Sequence, residues 1–327
     1  MKVLLVLALA ILAVAHAKEE EHDYMFFPDG NGEPHIIDLK TSLNPADLEN
    51  IERSVSSMTF TLYTRQNREG EIIILNNRRS LAQSQFSASR PTRIVTHGWK
   101  SSKDSDACTV IVDAFLKKDE YNVIVVDWSN TASQLYLVAA NSVERVANRV
   151  ARFINFLQSA GNLKTTDLKV IGHSLGGHIA GLSARQASGT VAGVVALDPA
   201  LPLFSDAGPG SRVDASDAKH VQVIHTNGGL LGLSKAVGTS DFYPNGGSSQ
   251  PGCGLDIVGS CAHSRAYYFY AESIGNPSGF RGTVVRSGSA DVFFSHGSAF
   301  MGGSKLDRQA DGSYSLTTNR NPPYAKG

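Results

Sequence analysis

Cysteine is scarce, with three in 327 residues, and so are tryptophan, with two, and methionine, with four. Three scattered cysteines do not make a zinc site. Net charge is missing as well: 30 basic residues cancel 30 acidic ones, which leaves no polybasic signal for nucleic acid or anionic membranes. The longest apolar run, Val3–Ala15, has 13 residues, too short for the about 20 that cross a bilayer. No other stretch is long enough to span. There is no Asn-x-Ser/Thr acceptor for N-glycans, no internal repeat and no low-complexity linker. These absences exclude a nucleic-acid binder, a repeat protein and a membrane-spanning protein.

What is present begins with Met1-Lys2, the apolar run, and Ala15-His16-Ala17 before Lys18, the pattern of a secretory signal peptide over residues 1–17. A secreted, extracellular chain of about 310 residues is large enough for one α/β domain over 18–327. Within it, 18–42 reads as a loose N-terminal or pro-segment. In an oxidising compartment Cys253 and Cys261, seven residues apart across a Gly-rich loop, are expected to form a disulfide. Cys108 sits among Val110, Ile111, Ala114 and Phe115 and reads as a buried helix thiol.

Short alternating segments at Thr59–Thr64 and Ile72–Leu75 suggest an antiparallel start to a sheet. The rhythm then changes. Strands at Arg93–Thr96, Val123–Val126, Leu168–Ile171, Val194–Leu197 and Val221–His225 interleave with helices at Asp106–Lys117, Ala132–Leu157, Leu175–Ala187 and Arg265–Ile274. Continuous apolar strands alternating with helices indicate a mainly parallel central sheet with helices on both faces, in a single domain. Between Asn227 and Ser260 the chain is Gly-rich and lacks periodic cues, so it reads as a loop region.

Val170-Ile171-Gly172-His173-Ser174-Leu175-Gly176 runs from strand through Gly-x-Ser-x-Gly into a small-residue helix start. That is a nucleophile elbow, a sharp turn that lifts the serine hydroxyl above the sheet. A serine hydroxyl needs an adjacent base, usually His, oriented by a carboxylate, in the chain order Ser, acid, His. Asp198, directly after strand Val194–Leu197 and followed by Pro199, fits the acid; Asp206, Asp214, Asp217 and Asp256 follow no strand end. Four histidines follow at a distance, His220, His225, His263 and His296; His263, in the loop between Cys261 and the helix, is favoured but not singled out. For the oxyanion, the N–H of Leu175 begins a helix, and Trp99 in strand-end His97-Gly98-Trp99 supplies a second donor.

These blocks, together with Val126-Asp127-Trp128, Leu197-Asp198-Pro199-Ala200, Phe242-Tyr243-Pro244-Asn245-Gly246-Gly247 and Cys261-Ala262-His263-Ser264-Arg265, resemble the animal pancreatic-lipase family in order and spacing. The resemblance covers about Thr59 to Tyr314. It implies an α/β-hydrolase fold, the triad Ser174, Asp198 and His263, and an oxyanion hole from the Trp99 and Leu175 N–H groups. It also implies a structural calcium loop at Pro209–Asp217, with carboxylates of Asp214 and Asp217 and main-chain oxygens of Pro209 and Arg212; no cofactor is required for the chemistry.

Vertebrate members carry a further C-terminal β-sandwich domain; none is expected here, and with it no colipase. The lid-like segment Cys253–Cys261 is short, as is the loop Asn227–Ser240, which resembles the secreted phospholipase A1 branch of insects and venoms and implies an open site. The expected activity is hydrolysis of glycerolipid acyl esters at a lipid–water interface, of phospholipase A1 type, in lipid catabolism. Neutral triacylglycerol lipase or galactolipase action is the alternative within enzymes. A yolk-type lipid carrier is the alternative outside them, disfavoured because such relatives lack the serine.

Overall fold

The computed structural model describes residues 23–285 and 297–327; the signal-peptide expectation over 1–17 and His296 lie outside the described residues. Chain order begins with a hairpin, β1 Tyr24–Pro28 and β2 Pro34–Asp38, then α1 Pro45–Ser56, β3 Thr59–Tyr63, β4 Glu71–Ile72 and α2 Arg78–Ala82. The alternating part follows as β5 Thr92–Thr96, α3 Asp106–Lys118, β6 Asn122–Asp127, α4 Ser129–Ala132, α5 Tyr136–Gly161, β7 Leu168–His173, α6 Leu175–Gln186, β8 Gly193–Leu197 and β9 Val221–Ile224. It ends with β10 Ser240–Pro244, α7 Ser260–Gly275, β11 Arg281–Val284, β12 Ser298–Phe300 and β13 Gly312–Leu316.

Eleven strands form one sheet in the order β12-β11-β13-β10-β9-β8-β7-β5-β6-β3-β4, while β1 and β2 pair only with each other. From β6 through β5, β7, β8, β9 and β10 to β13 every pairing is parallel; β3–β6, β3–β4, β11–β13 and β11–β12 are antiparallel. Because strand side chains alternate faces, each central strand feeds two cores. Ile94, Ile124, Val126, Val170, Val194 and Val223 pack with α1, α5 and α6 on one face. Val95, Val123, Val125, Ile171, Val195 and Ile224 pack with α3 and α7 on the other. Burying each such side chain is worth about 1.5–3 kcal/mol. This α/β architecture is the expected mainly parallel sheet covered on both faces.

Four expectations are corrected. Residues 24–38, read as loose, form a registered hairpin whose Phe27 and Ile37 are buried in the first core. The Asn227–Ser260 stretch contains a central strand, β10, hidden in sequence because its buried residues include the polar Ser240 and Asp241, which leaves no apolar run to read. The helix expected from Ala132 to Leu157 starts instead at Tyr136 and runs to Gly161, with Ala132 ending the separate short helix α4. Finally, α7 begins at Ser260 instead of Arg265: Gly259 turns into it at φ 77°, and the Asp256 carboxylate accepts the N–H groups of Cys261 and Ala262 at 3.2 and 2.7 Å. An aspartate capping the orphan first-turn amides explains the earlier start.

Candidate active site

Ser174 stands between β7 and α6 at φ 58°, ψ −124°, a left-handed conformation rarely adopted by a residue with a Cβ. A Cβ on Gly172 would lie 1.9 Å from the Gly176 carbonyl oxygen, and one on Gly176 would lie 2.5 Å from the His97 carbonyl oxygen. The two glycines are therefore a steric condition for the turn. α6 starts at Leu175 with no side-chain cap, so its first amides point their positive end beside the serine.

Asp198 follows β8 directly, is fully buried, and also has a positive φ, 44°. One carboxylate oxygen accepts the N–H groups of Thr226 and Asn227 at 2.8 and 2.9 Å. The other lies 2.6 Å from His263 Nδ1. A carboxylate in that position only accepts, so Nδ1 carries the proton and Nε2 is left as the free base. His263 sits in the first turn of α7, and its carbonyl accepts from His173 Nε2 at 3.1 Å. Burial, and then the neighbouring His263, hold His173 well below the usual histidine range, so it stays neutral beside the dyad.

The hydroxyl of Ser174 and Nε2 of His263 are both buried without a hydrogen-bond partner, and both residues line one cavity. Nucleophile and base often bond each other only once substrate is in place. The arrangement can pass the hydroxyl proton to His263 as the serine attacks an acyl carbon, with Asp198 stabilising the imidazolium. Trp99 lines the same cavity; Gly98 before it would place a Cβ 2.8 Å from Ser174 Cβ, so the strand end lies against the nucleophile. The Trp99 indole is pinned by a bond from Nε1 to Gln134 O at 2.8 Å.

Several supports stand in blocks quoted for the resemblance, His97-Gly98-Trp99 and Val126-Asp127-Trp128, but had no role assigned from sequence. Trp128 Nε1 donates to the His97 carbonyl at 2.9 Å, and Asp127 lies 3.3 Å from His97 Nε2. Burial works to raise the Asp127 pKa, but His97 and Ser129 outweigh it and hold the carboxyl at about 2. The signal was available, since Asp127-Trp128 follows a strand end. Of the rivals of His263, the two among the described residues are engaged elsewhere: His220 Nε2 meets Ser240 Oγ at 3.0 Å, and His225 is bonded through both nitrogens, to Leu233 O at 2.6 Å and Asp241 at 2.8 Å. Cys253 and Cys261 form the expected disulfide, and Cys108 is a free buried thiol whose pKa burial pushes up.

At the expected calcium loop, Asp214 and Asp217 cap a 3-10 turn, Ala215–Asp217, reciprocally: the Asp214 N–H donates to Asp217 at 2.8 Å and the Ser216 N–H to Asp214 at 3.0 Å. Asp217 is buried, and its carboxyl is pushed up to about 6 by that burial. Its second oxygen meets only a long 3.5 Å contact from Arg185. Pro209 and Arg212 are bridged through their backbones next to this turn. A buried carboxylate with one short hydrogen bond and one long contact is the donor type a hard cation takes. Cys253, Asp256 and Cys261 also lie within 4.8 Å of one another, but there the sulfurs form the disulfide and the carboxylate caps α7.

The parallel sheet, the strained serine between β7 and α6, and the acid and histidine on later loops define an α/β-hydrolase fold. Residues 30–304 match the family described as Lipase, and the chain belongs to that family. It is 36% identical over 245 residues to pancreatic triacylglycerol lipase of Homo sapiens, covering 68% of this chain and 53% of that one. It is 34% identical over 251 residues to the Myocastor coypus protein of the same name, covering 70% and 55%. Pancreatic lipase-related protein 2 of Cavia porcellus is 35% identical over 230 residues, covering 68% and 52%. The chain thus spans about half the length of these relatives. Among solved structures, MGS-M1, an α/β-hydrolase enzyme from a deep-sea metagenome library, aligns at 16% identity and TM-score 0.32 over 66% of this chain and 73% of that one.

Proposed function

We propose that the chain is a secreted serine ester hydrolase of glycerolipids. The observation that carries this reading is a strained Ser174 whose unpartnered hydroxyl shares a cavity with the unpartnered Nε2 of His263, the other ring nitrogen being held by buried Asp198. Ser174 attacks the acyl carbonyl. His263 takes its proton and returns it to the leaving alcohol, and the N–H groups of Trp99 and Leu175 hold the oxyanion. Water activated by His263 then hydrolyses the acyl-enzyme. Labelling by a fluorophosphonate probe tests this. Wild-type protein is expected to label at Ser174 and S174A not at all; a folded wild type that never labels would favour a carrier.

For substrate, the reading is release of the sn-1 acyl chain from phospholipid. Its support is that no residue of the Asn227–Ser240 loop, nor of the disulfide loop before Ser260, lines the Ser174 cavity. The relatives' names point instead to triacylglycerol. Product analysis on phosphatidylcholine, galactolipid and triacylglycerol separates these, since only the first reading gives a 2-acyl lysophospholipid. Secretion is supported by the disulfide, which persists in oxidising compartments; no helix among the described residues is long and apolar enough to cross a membrane. Calcium held by Asp214, Asp217 and the main-chain oxygens of Pro209 and Arg212 would be structural. It is tested by the fall in Tm on chelation, which D217N should abolish.

A further inference from the structure

The cavity over Ser174 holds about 20 Å³, room for a water molecule but not for an ester of glycerol. The expected open site is therefore covered, and the cover comes from neither of the two loops compared with a lid. Phe27, Pro28, Asp29, Gly30 and Gly32 of the β1–β2 hairpin form one wall. Phe27 is 1% exposed, with its ring 5.8 Å from Trp99, 4.9 Å from Tyr136 and 5.9 Å from His263. The Gly30 N–H donates to Lys100 O at 3.0 Å, and a Cβ on Gly30 would fall 2.8 Å from Ser101 Cβ, so the turn is seated directly on the chain that follows Trp99.

The other walls cannot leave, because they carry Trp99, His173, Ser174 and His263. The hairpin carries none of that machinery and is not hydrogen-bonded into the eleven-stranded sheet. Among the described residues one stretch of chain joins it to the domain: residues 39–44 lead to the capped, Pro-started end of α1, and Lys40, Thr41 and Ser42 in that link are exposed, with the Lys40 N–H and Thr41 hydroxyl donating to Asp38. Resting on the reading of Ser174 as the nucleophile, we propose that the hairpin Tyr24–Asp38 is an autoinhibitory plug and that the link 39–44 is its processing site. Phe27 packs between Trp99 and Tyr136 and lines the cavity over Ser174, so lifting the hairpin would free apolar space next to the nucleophile for an acyl chain. A protease of trypsin-like specificity hydrolyses the Lys40–Thr41 peptide bond, consuming one water and leaving a carboxylate on Lys40 and an amine on Thr41. The cut turns an intramolecular contact of high effective concentration into a bimolecular one, which dilution dissociates.

The test uses the full secreted chain, its F27A and K40Q forms, limited trypsin digestion, and a fluorophosphonate probe beside a soluble short-chain ester. Intact wild type is expected to label and turn over at least tenfold more slowly than wild type cut at Lys40, as mapped by mass spectrometry. F27A is expected to be active uncut, and K40Q to stay latent through digestion. Equal labelling of intact and cut wild type would overturn the plug while leaving Ser174 as nucleophile. So would lower activity after the cut, because the hairpin would then be part of the substrate site. Full activity of intact K40Q on a phospholipid emulsion would overturn processing, a lipid surface having sufficed to lift the hairpin. No labelling of any form, cut or uncut, would remove the nucleophile reading and the plug with it.

Discussion

Two buried histidine–aspartate pairs lie a few residues from each other's loops, and they have opposite characters. His263 meets Asp198 at 2.6 Å and His225 meets Asp241 at 2.8 Å, with all four side chains at most 5% exposed. In the second pair everything is spent. His225 is engaged through both nitrogens, its ring stacks on Tyr243 at 4.4 Å, and Asp241 also accepts the N–H groups of Val237 and Gly238. In the first pair one nitrogen is left without a partner, and its acid and the nearby serine are both held at positive φ. Strain of this kind costs about 1–3 kcal/mol per residue and persists only where the surroundings enforce it. Chemistry is thus marked by what is left unsatisfied and strained, and a residue pair alone does not reveal it.

The sharpest way to break the comparison is to remove each histidine. H263A, like S174A, should lower kcat by roughly 10⁴–10⁶-fold in ester hydrolysis; S174A should leave Tm nearly unchanged in calorimetry, while H263A also leaves Asp198 buried without its imidazole. H225A should spare kcat per folded molecule and lower Tm. Leaving Asp241 buried with only the Val237 and Gly238 amides as donors costs about 1–3 kcal/mol, so Tm and soluble yield fall while the surviving folded molecules still label at Ser174. Equal losses of labelling in both variants would erase the distinction.

Next come the acids. D198N removes the acceptor that fixes the His263 tautomer and should cost about 10⁴ in kcat. D241N keeps the shape and one acceptor oxygen, so its effect should appear in denaturant midpoint and hardly in kcat per folded molecule.

A smaller effect separates the site's surroundings by pH. His178 donates from Nε2 to Ala200 O at 2.8 Å and accepts the Val213 N–H on Nδ1, so only the neutral ring fits; burial brings its pKa from 6.5 to about 4. His173 is depressed in the same direction. Below the unfolded value the unfolded chain binds protons that the folded one refuses, so stability is present at neutral pH and is lost as pH falls from about 6.5 toward 4. For His178 alone the loss approaches roughly 3 kcal/mol. H178Q should flatten the fall in Tm between pH 7 and pH 4.5; an unchanged slope would assign the acid sensitivity to other groups.

Much of this was legible in sequence where a local rule speaks. The apolar runs of the central strands, the glycines around Ser174 and the strand end before Asp198 each carry a steric or burial reason within a few residues. The choice among histidines was not legible from spacing, because what disqualifies His225 is Asp241, a residue on a strand that itself left no pattern. The hairpin was illegible for a similar reason. Tyr24, Phe26 and Ile36 are 60%, 54% and 67% exposed while Phe27 and Ile37 are buried, so one short ribbon shows apolar side chains on both faces and gives no alternation to read. Its place over Ser174 is purely a tertiary fact.

The smallest expected effect concerns what positions His263. The Cys253–Cys261 bridge closes a loop of eight residues' separation, for which the loop-entropy relation gives about 2.5 kcal/mol. It is not alone in fixing the first turn of α7. Asp256 bonds the amides of Cys261 and Ala262, and His173 bonds the His263 carbonyl. With three anchors on one turn, losing the bridge in C253S/C261S should lower Tm by several degrees but kcat only a few-fold. Losing the cap in D256A should cost about 1 kcal/mol. Removing both should reduce activity by more than the product of the single effects, because His173 would be the last tie on the turn that carries the base. Strictly multiplicative losses would mean that the anchors act on stability independently and that neither sets the angle of the imidazole toward Ser174.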